Sequence, residues 1–284
     1  MEILKTTLLM CALMLLFIFT GYAIAGQTGM LIAFVLACGI NFFSYFFSDK
    51  MVLKHYDAKP ANSDSKIYKL TQDLTTRANI PMPKVYFINE NVPNAFATGR
   101  NPKNAVVAVT TGLLEILNDE EIEGVLAHEL SHVKHYDILT GSIAAVFAGA
   151  LGMLAKFAQV NAMRGRGGKN QNPIAMIAAV VIVPIVATII KMSISRSREF
   201  GADRGAAMMT KNPSALASAL TKLENYAKNG RMLKGADGAT SHMFIINPLS
   251  GAKDKVNNLF RTHPSTQNRI DALKDIQREL VGRS

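Results

Sequence analysis

Cysteine is nearly absent, with only Cys11 and Cys38 in 284 residues, both inside hydrophobic runs. There is no C-x-x-C spacing and neither cysteine has a flanking histidine, which excludes a zinc knuckle and a thiol redox pair. If the two runs form a tight antiparallel hairpin turning near Gln27, the cysteines lie at different depths and no disulfide is expected. Charge is scarce too: 18% of residues carry it, yet the net charge is +10. A basic bias of that kind fits either nucleic acid or the anionic leaflet of a membrane. Two stretches, Leu8–Gly26 and Gly29–Phe47, contain no charge at all and approach the roughly 20 residues that cross a bilayer. They decide for the membrane and against nucleic acid. The mean hydropathy of +0.16 fits a mixture of segments in lipid and segments in water.

Two further apolar stretches follow. Ile138–Phe157 is interrupted by Gly141, Gly149, Gly152 and Lys156, and Pro173–Ile190 is kinked by Pro184. The first run ends in Ala23-Ile24-Ala25, which resembles a signal-peptide cleavage site. Its long apolar core, its barely basic start and the second span close behind favour a retained anchor. The expected organisation is an apolar hairpin over 1–48, a catalytic part over 49–137, a second apolar hairpin over 138–194 and a further catalytic part over 195–284. No internal repeat is present. Within the polar parts, Asp64–Asn79 carries Ile67, Leu70, Leu74 and Ala78 on a helical period, and Lys84–Ile88 alternates like a strand. Asn94–Thr98 and Asn104–Thr110 read as a β-hairpin around Gly99-Arg100-Asn101-Pro102. Asn118 is a good N-cap, and Asp119, Glu120 and Glu121 suit the first turn of the helix that follows. Ser195–Lys211, Pro213–Lys228 and Pro264–Leu280 read as helices, with a glycine-rich loop near Gly230–Gly238. The fold class expected is mainly α within α+β, with a small sheet and four apolar helices.

The capped helix contains His128-Glu129-Leu130-Ser131-His132. Histidines four apart project from one helical face, so both imidazoles can reach one zinc at about 2 Å. Glu129 lies about 100° around the helix from His128, placed to take a proton from a water that the metal has acidified. A catalytic zinc needs a third protein ligand. His135 lies seven residues from His128, about 10 Å along a helix, too far for one ion to bridge all three. The extended pattern H-E-x-x-H-x-x-G-x-x-H is missing, which disfavours a metzincin. Glu199 is the better candidate. Asp203 shares its helical face and could orient a ligand histidine by accepting from its second nitrogen. From spacing alone, an exposed helix with Arg/Glu pairing explains Ser195–Asp203 as well. Chain order provides an independent check, because His132 precedes the third apolar stretch and Glu199 follows the fourth. Zero or two crossings put both on one side of the membrane. Arg164, Arg166 and Lys169 in the connecting loop fit an outside loop poorly, which leaves open a hairpin lying on or shallowly in the bilayer.

With Asn94-Ala95-Phe96-Ala97-Thr98-Gly99, Leu126–His132, Glu199…Asp203 and Thr262-His263-Pro264 assembled, the chain resembles the HtpX family of membrane metallopeptidases, distant relatives of the CAAX prenyl proteases. The resemblance covers nearly the whole chain. It implies a zincin-like (gluzincin) domain holding one Zn2+ per chain through His128, His132 and Glu199. It further implies Glu129 as the catalytic carboxylate and Asp203 as the residue behind a ligand histidine. Asn94, Ala95, Phe96 and Ala97 would form the sheet edge on which substrate backbone pairs. His263 and Arg269 would lie near the scissile carbonyl, with His263 donating to the developing oxyanion. Also implied are a multi-pass protein of the inner (plasma) membrane, an active site facing the cytoplasm, and misfolded or damaged membrane proteins as substrates. The charges agree in part, since Lys50 and Lys54 after the second run favour the cytoplasm while Lys5 gives only a weak bias. Two rivals are a CAAX-type processing peptidase and a non-enzymatic metal-binding membrane scaffold. An intact Glu129 argues against the scaffold.

Overall fold

The computed structural model describes residues 2–143, 196–229, 245 and 264–282. The N-terminal element α1 spans Glu2–His55 and folds back on itself. Gly26 has φ +59°, and a side chain at Gly21 would collide with Gly29 and Ala33. The Asn41 side chain donates to the carbonyl of Met10, 31 residues away, a contact only an antiparallel reversal allows. The turn thus falls at Gly26, as the charge-free runs predict, and Cys11 and Cys38 are free thiols. Gly26–His55 is long and apolar enough to cross a membrane, while Thr6–Phe19 is a shorter apolar helix. Four apolar helices were expected, but among the described residues only that one helix meets the length and composition of a membrane span. Residues 144–195, most of the second apolar stretch pair, lie outside the described residues.

After α1, a four-stranded sheet forms from β1 (Lys59–Pro60), β2 (Lys84–Ile88), β3 (Ala95–Gly99) and β4 (Ala105–Thr110), in the order β1-β2-β4-β3. β2 and β4 are parallel, and the expected β3–β4 hairpin is antiparallel with Ala97 opposite Val107. β3 is therefore an edge strand. Central β4 is buried throughout, as a strand covered on both faces should be.

The helix α2 (Lys66–Ala78) is capped by Ser65 and ends on Asn79 in the left-handed region. A short α3 (Thr111–Ile116) links β4 to α4 (Asp119–Lys134), the helix carrying both histidines. Its start is a capping box: Asn118 accepts from the Glu121 backbone and Glu121 accepts from the Asn118 backbone. Glu121 also accepts from Ser218 Oγ at 2.7 Å and Lys222 Nζ at 2.7 Å, both on α6 (Pro213–Lys228). Helices α5 (Arg196–Thr210) and α7 (Thr266–Val281) complete the bundle. One core joins these layers, with Val107 and Val109 of β4, Val125, Leu126 and Leu130 of α4, Leu216 and Leu220 of α6 and Leu273 of α7.

Candidate metal centre

On α4, His128, Glu129 and Ser131 are buried and His132 is half-buried, because the helix is sandwiched between the sheet, α5 and α6. α5 reaches α4 through small residues. Ala202 and Ala206 are fully buried, and a Cβ at Gly205 would stand 2.9 Å from Ser131 Cβ. This close approach brings Glu199 to the histidines across 67 residues of sequence. Glu199 is only 5% exposed, so α5 is not the exposed, ion-paired helix that spacing alone allowed.

The ligand-bearing atoms converge. His128 Nε2 is 3.2 Å from His132 Nε2. Glu199 Oε2 is 3.7 Å from His128 Nε2, and Glu199 Oε1 is 3.5 Å from His132 Nε2. One ligand atom from each residue lies within 4.8 Å of the others. Around an ion with bonds of about 2.0–2.1 Å, tetrahedral ligand atoms stand roughly 3.3 Å apart. The separations are of that order, with one Glu199 oxygen nearest each histidine, so the donor set suits a zinc-sized ion. His135 is exposed at the end of α4 and does not join the group.

Each histidine's other nitrogen meets a carboxylate. His128 Nδ1 is 3.0 Å from Asp203 Oδ1, and His132 Nδ1 is 2.9 Å from Asp137 Oδ2. Arg269, 1% exposed, donates through Nε and Nη2 to both Asp203 oxygens at 2.8 and 2.7 Å and through Nη1 to the Ile245 carbonyl. Its Nη1 also lies 3.4 Å from Glu199 Oε2. The structure therefore places Arg269 inside the protein behind His128. Asn94, Ala95 and Phe96 are buried and Ala97 is half-buried on the edge strand. The Ala97 N–H donates to Glu129 Oε2 at 2.9 Å, and the Gly99 N–H donates to Ser142 Oγ at 3.0 Å. Asn94 Oδ1 is buried and has no hydrogen-bond partner among the described residues. His263 lies outside the described residues; Pro264 beside it is buried.

Burial pushes the Glu129 carboxyl up to about 7, helped by Glu199 and opposed by His132 and the Ala97 N–H. Burial pulls His132 down, but the Asp137 hydrogen bond and the Glu199 and Glu129 carboxylates override it and hold the imidazole at about 9. The groups that draw a proton there would equally draw a metal cation. His128 is lowered, by burial and then by the Arg269 charge. Burial works to raise Asp203, yet Arg269 and His128 hold it below its ordinary value.

A family model described as peptidase family M48 matches residues 61–277, a stretch that includes α4, α5 and all three candidate ligands. The chain belongs to peptidase family M48. It is accordingly a metalloendopeptidase. Among similar proteins, a protease HtpX homolog of Campylobacter hominis is 58% identical, covering 99% of this chain and 100% of its own. One of Campylobacter concisus is 55% identical over 99% of both chains. The crystal structure of S. mikatae Ste24p superposes with a TM-score of 0.54 at 17% identity, covering 96% of this chain. This M48 chain spans 64% of the length of that structure, and the likeness is one of fold.

Asp137 escaped the sequence reading. Its signal was a carboxylate just past the end of the histidine helix, but nothing in the sequence announced the left-handed turn that returns it to His132. Ser142 escaped for a similar reason, since its role at Gly99 depends on how the helical residues 137–143 lie against β3.

Proposed function

We propose that the protein is a zinc-dependent endopeptidase that cleaves misfolded or damaged membrane proteins beside the bilayer, at its cytoplasmic face. The observation that carries this reading is the convergence of His128, His132 and Glu199 within reach of one ion, with Glu129 between them and an edge strand. Zinc bound by these three residues supplies Lewis acidity, polarising a carbonyl and lowering the pKa of a water. Glu129, whose carboxylate reaches between the histidines and the edge strand, takes the proton of the attacking water and returns it to the leaving amine. Asp203, itself held by Arg269, fixes the ring of His128. Arg269 acts on substrate only through that pair, whereas His263 is the donor for the developing oxyanion.

Substrate backbone pairs along β3. In an antiparallel ladder N–H and C=O groups alternate sides. Asn94 O accepts from Thr110 N on β4, so Ala95 and Ala97 point their backbone groups outward. A substrate strand thus competes with Glu129 for the N–H of half-buried Ala97.

Organisation follows the same four parts, 1–48, 49–137, 138–194 and 195–284, with multiple membrane passes. The fold likeness to Ste24p supports kinship with CAAX proteases, so a prenyl-processing activity is the second reading. The deciding experiment combines zinc content with proteolysis of an unfolded membrane protein and of a prenylated peptide. Glu199→Ala is expected to lose both zinc and cleavage. Stoichiometric zinc retained in that variant removes Glu199 as a ligand, and cleavage of the prenylated peptide alone favours the second reading.

A further inference from the structure

From the turn that follows α4 we infer that Asp137 is a positioning residue for the metal centre, holding His132 with its Nε2 toward the ion. The inference rests on the metal reading above and adds a residue to it. On a continuous helix, a residue five positions after His132 would lie about 140° around the axis and about 7.5 Å further along. It could not reach the ring. α4 instead stops at Lys134, His135 caps it, and Tyr136 adopts φ +64°. That conformation is costly for an aromatic residue and is kept where the surroundings require it. Its consequence is that the chain turns back and helical residues 137–143 begin directly beside His132.

Asp137 Oδ2 then lies 2.9 Å from His132 Nδ1 in a buried setting, at 8% exposure. Its other oxygen is buried, 3.9 Å from the Arg198 guanidinium, one residue before Glu199. A carboxylate on the far nitrogen of a ligand imidazole fixes the tautomer and the ring plane and makes the near nitrogen a stronger donor. Asp203 does this for His128 while sharing its charge with two Arg269 hydrogen bonds. Asp137 does it for His132 from a separate element. The two rings are therefore set independently, one from α5 and one from the segment that leads into the third apolar stretch.

The test measures zinc affinity of the full chain in detergent by competition with a chromogenic chelator. Asp137→Ala is expected to bind zinc about 10–100-fold more weakly. Asp137→Asn should fall between the two, because its amide oxygen can still accept from Nδ1–H without carrying charge. Loaded with cobalt(II), Asp137→Ala should also show shifted ligand-field bands, which a purely structural role for the residue would leave unmoved. If Asp137→Ala does not fold, Asp137→Asn is judged on the same two readouts. Affinity within twofold of wild type together with unchanged cobalt bands overturns the inference. Zinc bound by wild type, lost in His132→Ala and unchanged at position 137 sinks this inference alone. A wild type that binds no zinc sinks the metal reading and takes this one with it.

Discussion

Glu129 and His128 are neighbours in sequence but face different partners. His128 turns toward Asp203 and Arg269, whereas Glu129 turns toward the Ala97 N–H of the edge strand. In the proposed mechanism that division separates metal binding from proton transfer. Glu129→Gln should therefore keep zinc at wild-type stoichiometry while cleavage falls about 10²–10⁴-fold, the range typical of general acid–base groups. Metal analysis beside a proteolysis assay checks it, and undiminished cleavage would remove Glu129 as the proton carrier. The histidine spacing made the helical pair and its adjacent carboxylate legible without a structure. Asp203 was legible too, as the residue four after Glu199, but not which histidine it would meet. Arg269 could not be placed from sequence, because its burial depends on α7 packing against α5.

At the scale of elements, the centre depends on how closely α5 approaches α4. An added methyl at Gly205 would press on Ser131, the residue before His132. Gly205→Ala should overpack this contact at a cost of about 1–3 kcal/mol. It should weaken zinc binding by pushing Glu199 away while leaving helix content unchanged. Chelator competition with circular dichroism tests this, and unaltered affinity would show that the spacing is slack. The other anchor of α4 is Glu121. Burial works to raise its pKa, but hydrogen bonds from Lys222, Ser218 and the Asn118 backbone hold it below the ordinary 4.5. A depressed folded pKa contributes stability that is present above 4.5 and lost as pH falls through the folded value. Glu121→Gln should thus lower the unfolding temperature at pH 7, by a loss of about 1–2 kcal/mol. The gap to wild type should close on acidification below pH 4.5. A gap that is constant with pH would mean that charge at Glu121 does not matter.

Across the whole molecule, the second leg of α1 runs directly into the catalytic part. Its lower end places Val52 against Ile88, Phe96 and Ala108, and the Tyr56 and Phe96 rings lie 5.6 Å apart. Gly26–His55 is 30 residues, about 45 Å of helix, against about 30 Å of bilayer hydrocarbon. Asp49, Lys50 and Lys54 fall at the end of the helix that packs on the sheet beside β3. Residues 137–143 join from the other side, with Leu139 and Ile143 packed on Leu13 and the Thr6 and Thr140 hydroxyls 2.7 Å apart. The chain's two cysteines report on this arrangement. In intact vesicles neither Cys11 nor Cys38 should react with a charged maleimide, and both should react after denaturation. Labelling of either in intact vesicles would place that leg in water.

The sequence by itself determined what is local. The 3.6-residue period, the N-caps, the β3–β4 hairpin and the charge-free runs set α2, α4, α6, α7 and the turn of α1, because each depends on interactions a few residues apart. The His128–His132 pair belongs to the same class, since one helical turn decides it. Tertiary structure decided everything assembled from distant stretches. It brought Glu199 to the histidines through a face of Ala202, Gly205 and Ala206, and it buried Arg269 behind Asp203. It also made β3 an edge and turned Asp137 back through Tyr136. No periodicity encodes these placements, because each is set by how closely two packed elements approach.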